Sequence, residues 1–484
     1  MDSITIDRDA AQEARSSAAP RGLVFACIVA SLPMFMAALD NLVMTFALPV
    51  IKVELDASVE QLQWFVNAYT IAFATLMLPM AALGDRLGRR PVFFGGVLLF
   101  TAASVLAALA TTPEMLIAAR AVQGIGAAVI VPLSLTIVSS AASARARPIA
   151  IGVWGGVNGL GIAVGPIIGG AVVEGVEWPG IFWLNVPIGL LTLVLLPFAV
   201  PASWGRRLPF DVFGSLLAVV FVLPLVWAIV EGEDRGWSDG LVVGAFGLAA
   251  AALAAFLLWE HRSPAAFLPL GFFRERAFAL SNLAGLLFSA GVFGAIFLLS
   301  QFLQVSMGYG ALEAGWRAAP WTLAPMVVAP LSGFVVRKVG VGPVIVVGLA
   351  LQAGAIAWIV AVTEAVTEYG DVVVPMALAG IGMGLTLAPL ANAVLVGRAE
   401  IEHGIAASVN STLRELGIAI GIALVTAIFV REGDYLPGQP FVDGMTPALV
   451  VCVVITGAAV LAALGLPGRR ASEAGTGAGR SAGA

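Results

Sequence analysis

Gly84-Asp85-Arg86-Leu87-Gly88-Arg89-Arg90-Pro91 lies between two long apolar segments, and this short stretch decides how the rest of the chain is arranged. Residues 62–83 before it carry no charge at pH 7, and residues 92–110 after it contain no ionisable side chain. Each flank is close to the roughly 20 residues that a helix needs to cross a bilayer. Three arginines beside two such segments mark the cytoplasmic side. The stretch therefore predicts a cytoplasmic turn between two membrane-spanning helices.

Two interpretations of this turn stay open. Gly84 and Gly88 allow the chain to turn sharply, and Asp85 can bond an arginine or a helix N-terminus. The ordered spacing of acid, glycine and arginine predicts a conformational element that consists of Asp85, Arg86, Gly88 and Arg89. The alternative is an ordinary basic loop that only sets the topology.

The composition indicates a membrane protein. Of the 484 residues, 60% are hydrophobic and only 11% are charged, and the mean hydropathy is +0.99. Soluble proteins carry about 25% charged residues, so we expect an all-α polytopic protein embedded in a lipid bilayer. The net charge of −5 says little by itself, because the position of each charge decides what the charge does. We expect no nucleic-acid partner.

Cysteine and histidine are too few for a metal or disulfide framework. Cys27 and Cys452 fall inside apolar segments, so no disulfide or cysteine-based metal site is expected. His261 and His403 fall in polar connections, which excludes a histidine-based metal site inside the membrane. No Walker-type loop is present, so we expect neither a nucleotide nor another cofactor. Residues 1–21 are polar and contain acids, and they do not resemble a removable signal peptide.

Fourteen apolar segments follow one another along the chain. They cover approximately 22–51, 61–83, 91–110, 115–138, 149–173, 180–200, 212–231, 240–259, 278–303, 314–336, 342–362, 372–396, 404–430 and 446–467. We predict fourteen transmembrane helices in an N-terminal six-helix bundle (22–200), two inserted helices with their loops (201–277) and a C-terminal six-helix bundle (278–467). Residues 1–21 and 468–484 are predicted to be cytoplasmic tails, the second of them disordered.

The basic residues alternate from one connection to the next. Of the 25 lysines and arginines, 19 lie in the tails and in the alternate connections shared with Arg86. Only Lys52, Arg235 and Arg431 lie in the opposite connections. A miscounted helix would scramble this alternation, so the pattern supports fourteen spans. The positive-inside bias then places both termini in the cytoplasm and the protein in the plasma membrane.

A glycine stripe marks the fifth segment. Gly161, Gly165 and Gly169 recur every four residues, and this spacing lets two helix backbones approach closely. Pro166 within the stripe bends the helix or weakens its hydrogen bonds. Either the stripe is simply a tight packing surface, or it is a hinge or seal that changes during function.

A weaker copy of the first turn occurs at residues 333–340. Gly333, Lys338 and Gly340 repeat the frame of glycines and basic residues, with Arg337 in the place of Asp85. Two related halves on one chain indicate a parallel pseudo-repeat, as in transporters that rock around a central site. The two segments between the halves contain no intramembrane charge, and we predict that they are an insertion outside the transport pathway.

Charged residues inside the predicted spans are few. A charge at a helix centre costs about +2.5 to +3.5 kcal/mol on insertion scales, so each one requires an explanation. Asp40 is predicted about 15 Å deep and Arg120 about 9 Å deep, both measured from the outer side. If the two helices are neighbours, movement of Arg120 would change the protonation of Asp40 and make it a proton carrier. The alternative is a static buried ion pair.

Three further charged residues lie within predicted spans. Glu415 is close to mid-membrane, and Arg414 precedes it on a face about 100° away, so the two cannot face the same partner. Either of them takes part in proton coupling and lines the cavity, or both only hold helices together. Arg317 is near the outer end of its span and is expected to extend to the interface.

Neutral polar and aromatic side chains in the spans are candidates for a substrate cavity. The candidates are Asn41, Asn67, Tyr69, Gln123, Trp154, Asn158, Gln301, Gln304 and Asn410. Each residue alone is more often a helix-packing group than a ligand contact. Together they predict an amphipathic cavity for bulky, partly apolar compounds.

Several motifs resemble those of the major facilitator superfamily and, within it, the fourteen-span drug:proton antiporter family of multidrug exporters. The first turn is similar to the superfamily's loop motif, with Ala81 where a glycine is usual. The similar stretches in the spans are Leu39-Asp40 with Ala47-Leu48-Pro49, Gln63-Trp64 with Asn67-Ala68-Tyr69, residues 120–126, and residues 161–170. The last of these resembles the fifth-span motif of antiporters. The resemblance covers about residues 22–467 and implies that Asp40 and Arg120 act in proton coupling.

The expected function is proton-driven export of drug-like or amphipathic molecules by alternating access, carried out by a monomer and powered by a proton gradient. The nearest alternative is a transporter of the same fold with another cargo, such as a secondary metabolite, a siderophore or an amino acid. An enzyme is not expected, because no acid pair at metal-binding spacing and no intramembrane histidine is present. A channel is disfavoured because nothing in the sequence resembles a repeated filter.

Overall fold

The computed structural model describes residues 20–141, 147–200, 211–263, 268, 270–395 and 403–466. These residues form helices and short connections, and none of them is in a β-strand. The predicted all-α class is confirmed for this part of the chain. Most of the predicted tails, 1–21 and 468–484, and the side chains of Asn41, Asp85 and Asn158 lie outside the described part.

The first seven helices form the N-terminal group. They are α1 (Pro20–Glu54), α2 (Val59–Leu87), α3 (Arg89–Ala108), α4 (Pro113–Ala141), α5 (Arg147–Val176), the single turn α6 (Gly180–Trp183) and α7 (Asn185–Ala199). Within this group α1 packs on α5, and α4 packs on both α2 and α3. The apolar side chains that these contacts bury hold the group together.

Two helices follow, and then the C-terminal group. The pair is α8 (Val212–Arg235) and α9 (Gly240–Arg262), and a 3₁₀ turn at Leu270–Arg274 precedes the second group. That group consists of α10 (Arg276–Gln301), a π-helical turn (Phe302–Ser306), α11 (Ala311–Thr322), α12 (Ala324–Val339), α13 (Val341–Val362), α14 (Tyr369–Ala393), α15 (His403–Glu432) and α16 (Gln439–Leu464). Here α10 packs on α15 and α16, and α13 packs on α14.

Twelve helical stretches in the described part are long and apolar enough to cross a membrane. The helices α2 and α5, which are 29 and 30 residues long, are not among these twelve. The predicted span 314–336 is divided between α11 and α12 at Leu323. Pro325 lies in the first turn of α12, and because proline has no N–H group, it cannot continue the helical ladder across this point.

Single glycines connect two pairs of helices. Gly88 is the only residue between α2 and α3, with φ of 108°, and Gly340 is the only residue between α12 and α13, with φ of 95°. These positive φ values suit glycine, which has no Cβ atom to clash with the backbone. The turn predicted from the sequence and its weaker copy thus have the same local conformation.

The two groups and the pair α8–α9 meet along their sides. The N-terminal group contacts the C-terminal group mainly through α5 with α11 and through α2 with α15. Helix α8 packs against both α2 and α15, where Val222 and Val226 join Ile71 and Ala419 in one apolar cluster. The inserted pair is therefore attached to one of the two seams between the groups.

We name the two ends of the helices by their charged residues. The Arg86 face carries the glycine turns at 88 and 340. The Lys52 face is the opposite end, where α1 ends and α2 and α4 begin. At this face Gln61 Nε2 donates to Glu114 Oε1 at 2.9 Å and so joins the first turns of α2 and α4.

Candidate functional site

A buried ion pair lies inside the N-terminal group. Arg120 Nη1 on α4 donates to Asp40 Oδ2 on α1, and the two side chains are 0% and 2% exposed. Arg120 Nε donates to the Phe65 carbonyl oxygen at 2.9 Å, and the guanidinium lies 4.4 Å from the centre of the Tyr69 ring. Helices α1 and α4 are therefore neighbours, which was the condition for pairing Asp40 with Arg120 in the sequence analysis.

Two amides complete the shell of donors around the Asp40 carboxylate. Gln123 Nε2 donates to Asp40 Oδ1 at 2.9 Å, and Asn185 Nδ2 donates to the same oxygen at 2.8 Å. Ser104 Oγ accepts from both amides, at 3.0 and 3.3 Å. The Ser104 hydroxyl itself donates to the Phe100 carbonyl oxygen at 2.8 Å, which leaves its lone pairs free to hold the amides.

The direction of these hydrogen bonds shows which charge state the site accommodates. Every group bonded to Asp40 is a donor: one guanidinium and two amides. An ionised carboxylate accepts such bonds at both oxygens, whereas a carboxylic acid needs an acceptor for its own proton. Gln123 Oε1 is not available, because it accepts from Arg120 Nη1 at 2.7 Å. The arrangement therefore fits ionised Asp40 paired with Arg120.

Glycines allow the helices to approach closely enough for these short side chains to meet. A Cβ atom added at Gly124 of α4 would lie 2.3 Å from the Tyr69 carbonyl oxygen on α2. One added at Gly126 would lie 2.8 Å from the Phe100 backbone nitrogen on α3. Since contacts under 3.0 Å require something to shift, larger residues would push α4 away from both neighbours.

The glycine stripe of α5 packs against α1 beside Asp40. Cβ atoms added at Gly161, Gly165 and Gly169 would lie 3.0, 2.9 and 3.1 Å from Ala38, Leu42 and Val43, respectively. The stripe is thus a close helix contact within the N-terminal group. Whether it also seals the protein against proton leak stays a prediction.

Glu415 and Arg414 lie on α15, which packs against α2, the helix of Tyr69. Tyr69 interacts electrostatically with Asp40, Arg120 and Glu415, so the second acid lies in the neighbourhood of the ion pair. Arg414 Nε and Glu415 Oε2 are buried and have no hydrogen-bond partner in the described part of the chain. At these two atoms Arg414 and Glu415 therefore form no hydrogen bond that would hold α15 to a described neighbour.

The side chains predicted to line one substrate cavity lie in separate places. Tyr69 and Gln123 belong to the Asp40 site. Asn67, two residues before Tyr69, is buried, and neither atom of its amide has a hydrogen-bond partner among the described residues. Trp154 Nε1 donates to Ser134 Oγ at 2.9 Å within the N-terminal group. Asn410 Nδ2 donates to Asn282 Oδ1 at 3.2 Å and so joins α15 to α10.

Two other predicted cavity residues close the Lys52 face instead. Gln304 Nε2 in the π-helical turn donates to the Phe46 carbonyl oxygen at 3.0 Å and so ties the C-terminal group to α1. Gln301 Oε1 accepts from the Tyr435 hydroxyl. Lys52 Nζ lies 4.8 Å from the centre of the Tyr435 ring, which is a cation–π contact between the groups. The Gln304 bond and the Lys52–Tyr435 contact connect the two groups, whereas the Gln301 bond lies within the C-terminal group.

Helices α5 and α11 touch directly on the same side. A Cβ atom added at Gly315 would lie 2.2 Å from the Pro166 carbonyl oxygen, and one added at Gly170 would lie 2.3 Å from that of Ala311. The Leu312 N–H, in the first turn of α11, donates to Glu174 Oε1 at 2.8 Å. Near the Arg86 face, by contrast, the described apolar clusters stay within one group. The two groups are therefore in close contact at the Lys52 face.

Arg317 is held at the Lys52 face by its own neighbours. Its guanidinium lies 3.9 Å from the centre of the Tyr309 ring and 4.5 Å from that of Tyr369, and Nη2 donates to Glu313 Oε1 at 2.6 Å. A surface cavity of about 530 Å³ lies beside it, lined by Glu174, Leu312, Glu313, Trp316, Arg317 and Tyr369. This position agrees with the predicted interfacial location.

At the Arg86 face the turn is anchored on both sides. A Cβ atom at Gly84 would lie 2.4 Å from Leu133 Cδ2, and Arg90 Nη1 donates to the Val200 carbonyl oxygen at 3.3 Å. Arg86 is exposed, and Arg89 is partly buried and has an interaction partner. The role of the turn as a conformational element stays a prediction.

Asn185 and Ser104 were not among the predicted site residues. Both are neutral, so the search for buried charges could not find them. One signal was nevertheless present: Asn185 is the single amide side chain in the apolar segment 180–200. A lone polar group in such a segment needs a buried partner, for the same reason as a lone charge. In the described part of the chain, no cluster of side chains could hold a metal ion.

The comparisons with known proteins agree with this architecture. The profile of the Major Facilitator Superfamily matches residues 30–422. The multidrug efflux pump LfrA of Mycolicibacterium smegmatis is 32% identical over 452 residues, which cover 93% of this chain and 89% of that protein. The methylenomycin A resistance protein of Streptomyces coelicolor is 33% identical over 405 residues, which cover 83% and 84%.

A solved structure supports the fold alone. A POT family transporter in complex with 5-aminolevulinic acid superposes with a TM-score of 0.68 at 18% identity, covering 92% of this chain and 96% of that one. The resemblance identified from the sequence motifs is confirmed, and the chain is a multi-pass membrane protein. It belongs to the Major Facilitator Superfamily, in the branch that contains these drug-efflux and antibiotic-resistance proteins.

Proposed function

We propose that the protein is a proton-coupled antiporter that exports drug-like or amphipathic small molecules across the plasma membrane by alternating access. The names of its relatives support the class of cargo, since they include a multidrug efflux pump and an antibiotic-resistance protein. The observation that carries the proton coupling is the buried Asp40–Arg120 pair. A carboxylate kept ionised by one arginine takes up a proton when that arginine moves away, so the pair can link protonation to a change of shape.

The topology belongs to the same proposal. With α2 and α5 added to the twelve apolar helices, the chain crosses the membrane fourteen times, with both termini in the cytoplasm. The two six-helix groups are related by a parallel pseudo-repeat, for which the matching turns at Gly88 and Gly340 are the structural support. The Lys52 face is then extracellular. The closed contact between α5 and α11 is the outer gate of an inward-facing state.

A second cargo class fits the same geometry. A secondary metabolite, a siderophore or an amino acid would also be carried by a proton-linked site of this kind. A susceptibility screen of expressing cells against dyes, antibiotics and detergents separates these cargoes, because only a drug exporter protects against several unrelated amphipathic compounds.

The coupling is tested with Asp40→Asn in proteoliposomes that contain a fluorescent cationic dye. We expect the variant to lose efflux driven by a pH gradient, because an amide cannot carry the proton. The matched control is Asp239→Asn, the same acid-to-amide change at a residue whose carboxylate only caps α9, where it accepts from the Leu241 N–H at 2.9 Å.

The folding of the variant is checked separately. Loss of the anion leaves Arg120 buried and unpaired, so the double variant Asp40→Asn with Arg120→Gln is tested beside it. If well-folded Asp40→Asn protein pumps at the wild-type rate, Asp40 is not the coupling residue and the proposal is wrong.

A further inference from the structure

Asn185 has a buried atom that the ionised site leaves unused. The residue is 1% exposed and begins α7, and its Nδ2 donates to Asp40 Oδ1. Its Oδ1 atom is buried and has no hydrogen-bond partner among the described residues. Because the carboxylate is only an acceptor, the amide nitrogen must be the atom that faces it, which fixes the orientation of the amide. The unbonded carbonyl oxygen points away from Asp40.

Protonation of Asp40 reverses what the site requires. A carboxylic acid must donate its proton, yet all its neighbours in the ionised state are N–H groups. As long as Arg120 keeps its bond to Gln123 Oε1 at 2.7 Å, Gln123 cannot turn this oxygen towards Asp40. Asn185 is under no such constraint. A half-turn about its terminal bond brings Oδ1 to the position of Nδ2, where it accepts the new O–H.

We propose that Asn185 is a positioning residue for the proton step, and that its amide turns over whenever Asp40 gains or loses a proton. In the ionised state the amide donates to the carboxylate, and in the protonated state it accepts from the carboxylic acid. Ser104 permits both orientations, since its hydroxyl can turn from the Phe100 carbonyl oxygen to donate to Asn185 Oδ1. The inference rests on the proposed function in one respect: Asp40 is the residue that takes up the proton.

The charged and titratable side chains around Asp40 decide how the test is interpreted. Arg120 on α4 is paired with Asp40 and lies over the Tyr69 ring of α2, and Tyr69 also interacts electrostatically with Glu415 on α15. From α3 and α7 only the neutral Ser104 and Asn185 are bonded to the site. A change at Asn185 therefore leaves every charge near Asp40 in place.

The first experiment follows the infrared C=O band of protonated Asp40 in purified protein as the pH is varied. The band is assigned by its absence from Asp40→Asn. In Asn185→Leu the carboxylate loses a donor, which disfavours the ionised form, so protonation should occur at a higher pH. We expect the midpoint to rise by roughly one pH unit, since the bond to the ionised form is stronger than the one that replaces it.

The matched control is Thr192→Val on the same helix. Thr192 is 0% exposed, but its hydroxyl donates only to the Ile188 carbonyl oxygen of its own helix, at 2.8 Å. This variant should titrate like the wild type. If Asn185→Leu also titrates like the wild type, Asn185 does not position the proton step and the inference is overturned.

The second experiment needs no destabilising variant. The side-chain amide of Asn185 is observed by NMR in protein labelled with ¹⁵N-asparagine, and its resonance is assigned by its absence from Asn185→Gln. If the amide rotates when Asp40 is protonated, its resonance shifts with pH, and the midpoint of this shift equals the midpoint of the Asp40 band. A resonance that stays constant while Asp40 titrates would overturn the proposal.

Neither experiment depends on transport. If Asp40→Asn pumps at the wild-type rate while both spectroscopic shifts occur, the proposed coupling fails and the amide turnover stands. If pumping requires Asp40 but the Asn185 resonance does not change with pH, the proposed coupling stands and the proposal for Asn185 fails.

Discussion

One methyl group added at Gly315 should weaken the contact between α11 and α5, which is the proposed outer gate. In Gly315→Ala the new Cβ atom would lie 2.2 Å from the Pro166 carbonyl oxygen, and a tolerable separation is at least 3.0 Å. Helix α11 must therefore move by about 0.8 Å from α5, in a contact made by backbone atoms. Overpacking of this kind costs roughly 1–3 kcal/mol. In the outward-open state of the proposed transport cycle the two helices would be apart, and the methyl group would cost nothing there.

The substitution should therefore favour opening of the Lys52 face. A difference of 1–3 kcal/mol changes the ratio of open to closed protein by roughly 5- to 150-fold. The measurement is the rate at which a membrane-impermeant maleimide labels Ala318→Cys, which is 4% exposed and lies one turn from Gly315. The two native cysteines, Cys27 and Cys452, are replaced beforehand. We expect faster labelling from outside and slower efflux.

The control is Gly354→Ala, because no atom lies within 4 Å of a Cβ at this position of α13. It should leave the labelling rate unchanged. If folded Gly315→Ala is labelled no faster than the wild type, the contact between α5 and α11 does not limit opening, and the assignment of the outer gate is wrong.

Two further predictions concern single residues at opposite ends of the bundle. Gly88→Ala should destabilise the protein by about 1–3 kcal/mol, because φ of 108° strains a residue with a side chain. The melting temperature in detergent measures this effect. The control is Gly95→Ala, which has open space around its Cβ and should not lower the melting temperature. Glu174→Gln should weaken the charge interaction with the first turn of α11 by about 0.3–1 kcal/mol and so increase labelling of Ala318→Cys by only a few-fold. Glu313→Gln, which loses a bond only within its own helix, is the comparison, and equal effects of the two changes would contradict the role of Glu174.

The buried charges could be located from the sequence because their cost in a membrane is large. Asp40 and Arg120 stand out in apolar segments, and the depth predicted for each was sufficient to pair them. The positive-φ turns were equally visible, since Gly88 and Gly340 interrupt apolar segments beside basic residues. In both cases one residue type leaves few structural alternatives.

The sequence position of a neutral polar residue in an apolar segment indicates that it needs a buried partner, but not which partner it has. Gln123 and Gln304 are the same residue type in similar apolar surroundings, yet one bonds Asp40 and the other bonds a backbone carbonyl of the opposite group. Only the packing of helices far apart in sequence separates these roles. Asn185 was missed for the same reason, because its partner Asp40 is 145 residues away.

The helices α8 and α9 cover one of the two seams between the N-terminal and C-terminal groups. On one flank α8 fills the seam between α2 and α15, and α9 covers α8 with a surface of exposed side chains such as Leu248 and Leu258. A compound dissolved in the bilayer that approaches from this flank meets a wall two helices thick. Among the helices that the structure describes, none covers the opposite seam, between α5 and the helices α11 and α12, in this way. The two seams between the groups therefore differ in how closely a compound dissolved in the bilayer can approach them.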